Sequence, residues 1–188
     1  MATEGDPTDL VKVLHLLVLS FSWGMQVWVS FIAGLALVLQ VSLHTFGYVQ
    51  SKLFPVYFYC LLASNSVSLA VYAVYHPREL LDGHETLQML LYFVAVIMAG
   101  LNAKWFSPAI IEVALHMRDV EKEHGLGNQI GTTSHKEMYA KLRQQDPKYR
   151  AWRNKFNRYH GLSLFSNFTG FLCTTVNLIY IALKLSTI

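Results

Sequence analysis

The sequence predicts an all-α, polytopic membrane protein with four transmembrane helices and a helical cytoplasmic insertion between spans three and four. Hydrophobic residues make up 53% of the chain and charged residues only 14%, whereas charged residues are about 25% of a typical soluble domain. The apolar residues also fall into four stretches that could each cross about 30 Å of hydrocarbon as a helix. At 188 residues, the chain fits a single membrane domain.

The connections before the second and third spans are short, and the connection before the fourth is long. The predicted spans cover residues 10–41, 53–75, 86–106 and 161–184. We expect a loop at 44–52, with Ser51 just ahead of the second span and Pro55 in its first turn, where a missing N–H costs nothing. Tyrosines near both ends of this span are typical of aromatic belts at the membrane interfaces. They are Tyr57, Tyr59, Tyr72 and Tyr75.

Small residues repeat at four-residue spacing in the first three spans. Such repeats let helix backbones approach closely in a bilayer, where association depends on packing. The repeats pair Ser20 with Gly24, Ser30 with Gly34 and Ser64 with Ser68, and they align Ala95, Ala99 and Ala103. We expect these faces to lie at contacts between helices.

The long connection at 107–160 is predicted to be helical. Its first helix follows or continues the third span, and the glycine-rich run 125–134 is the stretch expected to be flexible. Ser134 and Glu137 have the spacing of a capping box, which predicts a further helix. Asp146, with the proline after it, then begins a helix that we expect to continue without a break into the fourth span.

Positive charge is concentrated in this connection. Residues 104–160 hold eleven of the fifteen Lys and Arg residues and six of the twelve Asp and Glu residues. Four spans place both termini on one side of the membrane, where the basic residues are Lys12, Arg78 and Lys184, against twelve on the other side. Because basic loops are retained in the cytoplasm, the sequence predicts a cytoplasmic 107–160 segment and both termini on the non-cytoplasmic side. The charge comes without a nucleic-acid-binding motif, so nucleic acid is not an expected partner.

A line of polar and small residues runs along the fourth span at helical spacing. It consists of His160, Ser163, Asn167, Gly170, Thr174 and Asn177. The residues around this line are lipid-like, and they include Leu162, Leu164, Phe165, Phe168, Leu172, Val176 and Ile179. Because an unpaired polar group is costly in hydrocarbon, the polar line is predicted to face other helices.

Two groups of polar residues are candidates for a functional site. Gln26 and Asn65 share a mid-membrane depth, and could hydrogen-bond across helices as structural contacts or form a step in a substrate path. The second group is expected at the cytoplasmic end, and its members could form an interhelical network or line a ligand or ion site with a tunable histidine. This group comprises Asn102, Glu112, His160, Ser163 and Asn167.

A basic and aromatic stretch at 148–158 precedes the fourth span. Its aromatic residues recur at steps of three and four, on one face of a helix. The stretch includes Lys148, Tyr149, Trp152, Arg153, Phe156 and Arg158. Such a helix could lie on anionic headgroups with its aromatic rings inserted, or pack on the helix at 108–124 and form a small cap. The expected partners are therefore the lipid bilayer, with anionic headgroups at this stretch, and a partner bound through the basic side.

Seven short motifs are distributed along nearly the whole chain. They are VLHLLVLS (13–20), WGMQVWV (23–29), HTFGYVQSKLFPVYF (44–58), NAKW (102–105), VEKEHGLG (120–127), DPKY (146–149) and FNRYHGLS (156–163). In this order, the motifs resemble the transmembrane protein 205 family. The resemblance implies a four-span helical membrane protein with no assigned enzyme activity. It also implies a link to cellular tolerance of platinum drugs, which names a phenotype and not a mechanism.

Residues that could carry chemistry are few, and their arrangement argues against catalysis. Cys60 and Cys173 fall in apolar spans and build neither a disulfide framework nor a zinc site. His15 and His160 could each ligate haem, but the predicted topology separates them by roughly 30 Å. Ser163 lies three residues from His160 on one helix, which seldom orients a base onto a nucleophile. We therefore predict no enzyme activity, metal or cofactor.

The leading hypothesis is a non-enzymatic membrane protein that acts through its placement and through association, including association with itself as a homo-oligomer. The alternative is a small transporter, or a protein that handles drugs or metals along a polar path. The residues of that path are Gln26, Asn65, Asn102, His160 and Asn167. Against transport, the spans carry no charged residue at mid-depth and no clear inverted repeat.

Overall fold

The computed structural model describes residues 7–76, 82–130 and 136–185, and nearly all of these residues are helical. Five helices follow one another: α1 (Asp9–Gln40), α2 (Leu43–Tyr75), α3 (Gly83–Glu123), α4 (Lys136–Gln145) and α5 (Pro147–Leu185). Within the described ranges there is no strand, only an isolated bridge between Ser42 and Ile130. The predicted all-α fold class is confirmed.

Four of the helices, α1, α2, α3 and α5, are long and apolar enough to cross a membrane, in agreement with the predicted spans. At a rise of about 1.5 Å per residue, the 41 residues of α3 extend for roughly 60 Å. The hydrocarbon layer is only about 30 Å thick, so α3 and α5 project well beyond it. Their projecting parts pack with α4 into a helical layer, called the cap here, which comprises the described residues 107–130 and 136–160.

The cap has a hydrophobic core of its own, to which all three of its helices contribute. This core consists of Val113, Met117, Leu126, Leu142 and Tyr149. Val120, Tyr139, Trp152 and Phe156 pack around it. Burial raises the pKa of the Tyr139 hydroxyl, so this side chain remains uncharged at neutral pH.

Helix α5 runs unbroken from the cap into its apolar section, as predicted. Asp146 Oδ1 accepts hydrogen bonds from the N–H groups of Lys148 and Tyr149 at 2.7 and 3.0 Å, which satisfies two donors at the start of the helix. The buried residues of its apolar section are Ser163, Ser166, Gly170, Cys173, Thr174 and Asn177. The lipid-like residues around them are exposed, so the polar line does face the bundle interior.

The predicted loop at 44–52 is wrong, because α2 begins at Leu43. Ser42 caps this helix by accepting a hydrogen bond from the Thr45 N–H at 3.2 Å. Pro55 therefore lies inside α2 and not in its first turn. The polar residues of 44–52 looked like a loop because apolarity marks the part of a helix that lies in hydrocarbon, and α2 extends past that part.

The predicted aromatic belts are wrong for two of the four tyrosines. Tyr57 and Tyr72 are buried in the bundle interior, where their hydroxyls are hydrogen-bonded, whereas Tyr59 is exposed. A tyrosine near the end of a span can hydrogen-bond either to headgroups or to other helices. The rotation of α2 about its axis decides between these environments.

The described part of the run at 125–134, which ends at Ile130, is hydrogen-bonded to the rest of the chain. The N–H groups of Leu43 and His44 donate to the carbonyls of Gln129 and Gly127 at 3.2 and 2.9 Å. These two hydrogen bonds tie the run to the start of α2. Ser134 of the predicted capping box and Arg78 of the charge count lie outside the described residues.

Two π-helical turns interrupt the long helices, Trp28–Ala33 in α1 and Asn102–Phe106 in α3. Such turns are rare and occur frequently at functional positions. Each turn here carries a buried or bridging polar residue, Ser30 in α1 and Asn102 in α3. The sequence pattern did not predict either turn.

One predicted small-residue face packs against other helices of the chain, and another does not. Ala95, Ala99 and Ala103 are all buried against neighbouring helices, as expected. The pairing of Ser20 with Gly24 is not used within the chain, because Ser20 is exposed and a Cβ at Gly24 would meet nothing within 4 Å. This small-residue surface of α1 therefore faces outward.

The end of the bundle opposite the cap is held by polar contacts at the start of α3. The Glu85 N–H donates to Asp82 Oδ1 at 2.7 Å, and this hydrogen bond lowers the pKa of the Asp82 carboxyl. Glu85 lies 3.8 Å from both Lys184 and His76, which joins α3 to α5 and to the end of α2. These pairs are partly exposed and contribute little stability.

Candidate functional site

Buried polar side chains of the four long helices meet inside the bundle and form its candidate functional site. At the cap end, Ser163 Oγ donates to Asn102 Oδ1 at 2.6 Å, and Asn102 Nδ2 donates to the Ser163 carbonyl at 3.3 Å. Both side chains are buried. This reciprocal pair joins α3 directly to α5.

A second contact joins α1, α2 and α5 through a triangle of side chains. Tyr57 donates from its hydroxyl to Asn167 Oδ1 at 2.8 Å, and Asn167 Nδ2 donates to Ser30 Oγ at 2.8 Å. Ser30 Oγ lies 3.4 Å from the Tyr57 hydroxyl, which closes the triangle. Asn167 thus uses both its acceptor and its donor in contacts with other helices.

Gln26 and Asn65 lie in the middle of the bundle, with only 1% and 2% of their surfaces exposed. Both line the same small cavity, in keeping with the shared depth predicted for them. Their hydrogen bonds go to other residues than predicted. Gln26 Nε2 donates to Thr174 Oγ1 at 3.0 Å, while Asn65 Oδ1 accepts from Ser22 Oγ at 3.4 Å.

The cavity between these side chains has a volume of about 10 Å³. It is lined by Gln26, Phe58, Leu61, Asn65, Ala95, Ala99, Asn102, Ser166, Asn167 and Gly170. A single water needs a volume of about 10–15 Å³ on the same measure. This cavity between the helices therefore has room for about one water and is too small for a larger solute.

Beyond the cavity, away from the cap, the interior contains both paired and unpaired polar groups. The Tyr72 hydroxyl donates to Gln88 Oε1 at 2.6 Å. By contrast, the side-chain polar atoms of Asn177, Ser68 Oγ and the Tyr92 hydroxyl are buried without a hydrogen-bond partner among the described residues. An unsatisfied buried polar group costs about 1–3 kcal/mol. These unpaired groups therefore destabilise this part of the interior.

The predicted group at the cap end is only partly brought together. Asn102 and Ser163 pair with each other, but Asn167 belongs to the triangle with Ser30 and Tyr57. Glu112 is exposed on α3, whose buried face in the cap carries Val113 and Met117. The predicted membership of Glu112 in this group is wrong, because Glu112 lies on the exposed side of α3.

His160 stacks on Phe156, with ring centroids 5.5 Å apart and an angle of 11° between the rings. His15 lies at the other end of the bundle, where its ring is 5.7 Å from that of Tyr92. The two histidines thus have separate surroundings. Within the described ranges, no three His, Cys, Asp or Glu side chains are grouped to hold a metal ion.

The aromatic residues Tyr149, Trp152 and Phe156 of the stretch at 148–158 pack within the cap. Tyr149 is only 1% exposed, and Trp152 stacks on His116 of α3 with ring centroids 4.6 Å apart. Of the two predicted arrangements, packing on the helix at 108–124 is therefore correct. Four basic side chains of this stretch are exposed, namely Lys148, Arg150, Lys155 and Arg158.

Several residues of the polar interior are not among the predicted site residues, although their helical spacing from Gln26 and Asn65 indicates them. Ser22, Gln26 and Ser30 follow one another at four-residue spacing in α1. Tyr57 and Tyr72 lie eight residues before and seven after Asn65, which places all three on one face of α2. The helical spacing that starts from Gln26 in α1 and from Asn65 in α2 therefore identifies these residues.

Comparison with known proteins places the chain in a family. Residues 17–119 match a family model described as a domain of unknown function, DUF4149. The chain is 72% identical over 188 residues to Transmembrane protein 205 of Danio rerio, and the alignment covers all of both chains. No solved structure matches. With its four apolar helices, the chain is a multi-pass membrane protein and belongs to the transmembrane protein 205 family.

Proposed function

We propose that the chain is a non-enzymatic membrane protein that acts through its placement in the bilayer and through association with other membrane-embedded chains. The small size of the interior cavity at Gln26 and Asn65 is the observation that carries this proposal. The amide and hydroxyl side chains that line or adjoin this cavity, among them Asn102, Asn167 and Gln26, form hydrogen bonds between helices. Each such contact is worth on the order of 1 kcal/mol in a membrane. The cavity of about 10 Å³ leaves no space for a substrate.

The small-residue surface of α1 supports association with a second copy. Ser20 and Gly24 are one helical turn apart, and a Cβ at Gly24 would meet open space. Pairs of this kind let two helices approach closely within a bilayer. Large apolar side chains that flank the pair are exposed, namely Leu17, Phe21 and Trp28. We propose that a homodimer forms through this surface.

Gly24→Leu is expected to weaken this dimer about tenfold, which corresponds to about 1.4 kcal/mol, because leucine would hold the two helices apart. The dimer fraction would be measured by single-molecule photobleaching in vesicles over a range of protein-to-lipid ratios. Gly161→Leu is the matched control, since a Cβ at Gly161 on α5 also meets open space. A wild-type chain that stays monomeric at every ratio would contradict the proposal.

The orientation of the chain is also proposed, from the distribution of its basic residues. We propose that the cap faces the cytoplasm and that both termini lie on the other side. In a background of Cys60→Ser and Cys173→Ala, a membrane-impermeant thiol reagent applied outside intact cells should label Thr8→Cys. It should not label Ile130→Cys, which is exposed on the cap side, until the membrane is opened. The reverse labelling pattern would overturn the orientation.

A small transporter is the second candidate function, and the unpaired polar atoms in the interior favour it. Asn177 is fully buried with both side-chain polar atoms unpartnered among the described residues. In an open conformation, a solute or a water chain could satisfy such groups along the path through Gln26 and Asn65. This reading would also connect the chain to platinum-drug handling.

The leading proposal expects no flux above that of protein-free vesicles when proteoliposomes are tested with platinum complexes, metal ions and organic drugs. Flux of any of these that is abolished by Asn177→Leu and retained in Val176→Leu would favour the transporter instead. Val176 is exposed on the neighbouring face of α5, so its substitution controls for the insertion of a leucine at this depth.

A further inference from the structure

A second cavity lies outside the bundle interior, where the start of α2 meets the cap. Its volume is about 330 Å³, which falls within the range of about 300–1,000 Å³ typical of small-molecule sites. It is lined by Ser42, His44, Thr45, Tyr48, Arg118, Lys122 and Asn128. It is much larger than the interior cavity at Gln26 and Asn65, whose volume is about 10 Å³.

The lining of this cavity has the composition of an anion site. Arg118 and Lys122 supply two positive charges one helical turn apart on α3, and the remaining groups include hydroxyl and amide donors. No carboxylate belongs to the lining formed by the described residues. The neighbouring acid, Glu121, directs its two oxygens to His44 Nε2 and to the Tyr149 hydroxyl.

Arg118, which lines this cavity, has a side-chain N–H group without a hydrogen-bond partner among the described residues. This group is its Nε, which is buried. A guanidinium presents its N–H groups in a planar fork that matches two oxygens of a phosphate. The positive end of the 33-residue helix α2 adds to the field. The N–H groups of Leu43 and His44 are already bonded to the loop, so the helix contributes its dipole and not these two donors.

The cavity lies at the edge of the apolar surface of the chain. Leu39, which is 54% exposed, is three residues before Ser42, at the end of an exposed apolar face of α1. Tyr48, which is 56% exposed, follows on α2 with Lys52 Nζ 5.8 Å from its ring centroid. Tyrosine and lysine at the end of an apolar face are typical of the headgroup level of a membrane.

We propose that this cavity binds a phosphomonoester through Arg118 and Lys122. The further donors are the Tyr48 hydroxyl and one hydroxyl of the Ser42 and Thr45 pair, since these two are 2.8 Å apart and the other donates within the pair. The phosphomonoester can belong to a lipid headgroup or to a soluble phosphorylated molecule, since the recognising groups are the same. This site is separate from the exposed basic face at 148–158. It does not depend on the proposed association through α1.

The test uses the full-length chain in phosphatidylcholine nanodiscs, with three probes: phosphatidic acid in the bilayer, soluble glycerol 3-phosphate and inorganic phosphate. Binding would be measured by native mass spectrometry for the lipid and by calorimetry for the soluble probes. The variant is Arg118→Gln with Lys122→Gln, which removes both charges and keeps the side chains long. Lys148→Gln with Arg150→Gln is the matched control, because it removes two exposed charges elsewhere in the cap.

We expect the Arg118 and Lys122 variant to bind at least one probe about tenfold more weakly, or worse, while the control pair binds as the wild type does. Binding of phosphatidic acid alone would identify a lipid headgroup as the source, and binding of the soluble probes would identify a solute. Should the double variant fail to fold, the exposed Lys122→Gln alone decides by the same comparison. Failure of all three probes to bind, or equal weakening by both pairs, overturns the proposal.

Discussion

Gly127→Ala is expected to destabilise the chain by about 3 kcal/mol or more and to release the loop at 125–130 from α2. Gly127 has a φ of +97°, in a region where a side chain costs about 1–2 kcal/mol. A Cβ at this position would also overlap the ring of His44, and overpacking of this kind adds about 1–3 kcal/mol. The His44 ring is held in place because its Nε2 lies 3.0 Å from Glu121 Oε2.

Gly125→Ala provides the control for the effect of positive φ alone. Gly125 has a φ of +68°, but a Cβ there would meet nothing within 4 Å. Its substitution should therefore cost only about 1–2 kcal/mol. Thermal unfolding in nanodiscs would compare the two variants, and limited proteolysis would report whether the loop is released. Equal destabilisation by both substitutions would show that the contact with His44 does not matter.

The number of spans could be predicted from sequence because it depends on apolar length, which is a local property. The polar line of α5 was predictable for the same reason, since the residues from Ser163 to Asn177 carry their own helical period. The start of α2 was not predictable in this way. Residues 44–52 are helical because the loop at 125–130 and the cap pack against them, and those contacts come from distant parts of the chain.

In the interior, the depth of a residue in the membrane could be predicted from sequence, but the rotation of its helix could not. The depth of Gln26 and Asn65 follows from their position within a span, so their presence at one cavity could be foreseen. Their partners depend on how each helix is rotated and on the two π-helical turns, which shift the side chains that follow them. The hydrogen bonds of Asn102 and of Ser30 arise at these turns, where a regular helical period does not apply.

Glu121→Leu is expected to lower the free energy of unfolding by about 3 kcal/mol, because Glu121 is the buried junction of three helices. Its Oε1 accepts a hydrogen bond from the Tyr149 hydroxyl at 2.6 Å, and its Oε2 lies 3.0 Å from His44 Nε2. Removal of the carboxylate leaves both groups without their acceptor, and Tyr149 is only 1% exposed. The loss of one partner from a buried polar contact costs about 1–3 kcal/mol for each group left unpaired.

Three further variants separate this junction from the general effect of a leucine in the cap. Glu121→Gln keeps an acceptor for Tyr149 and a possible donor for His44, so it should cost only about 1 kcal/mol. Glu123→Leu lies on the exposed side of the same helix and should be nearly neutral. Tyr149→Phe should be less costly in the Glu121→Leu background than in the wild type, because the orphaned hydroxyl is removed together with its penalty. Strict additivity of these two substitutions in thermal or chemical unfolding would mean that the hydroxyl and the carboxylate do not stabilise each other, and the cap would then be held by its apolar core alone.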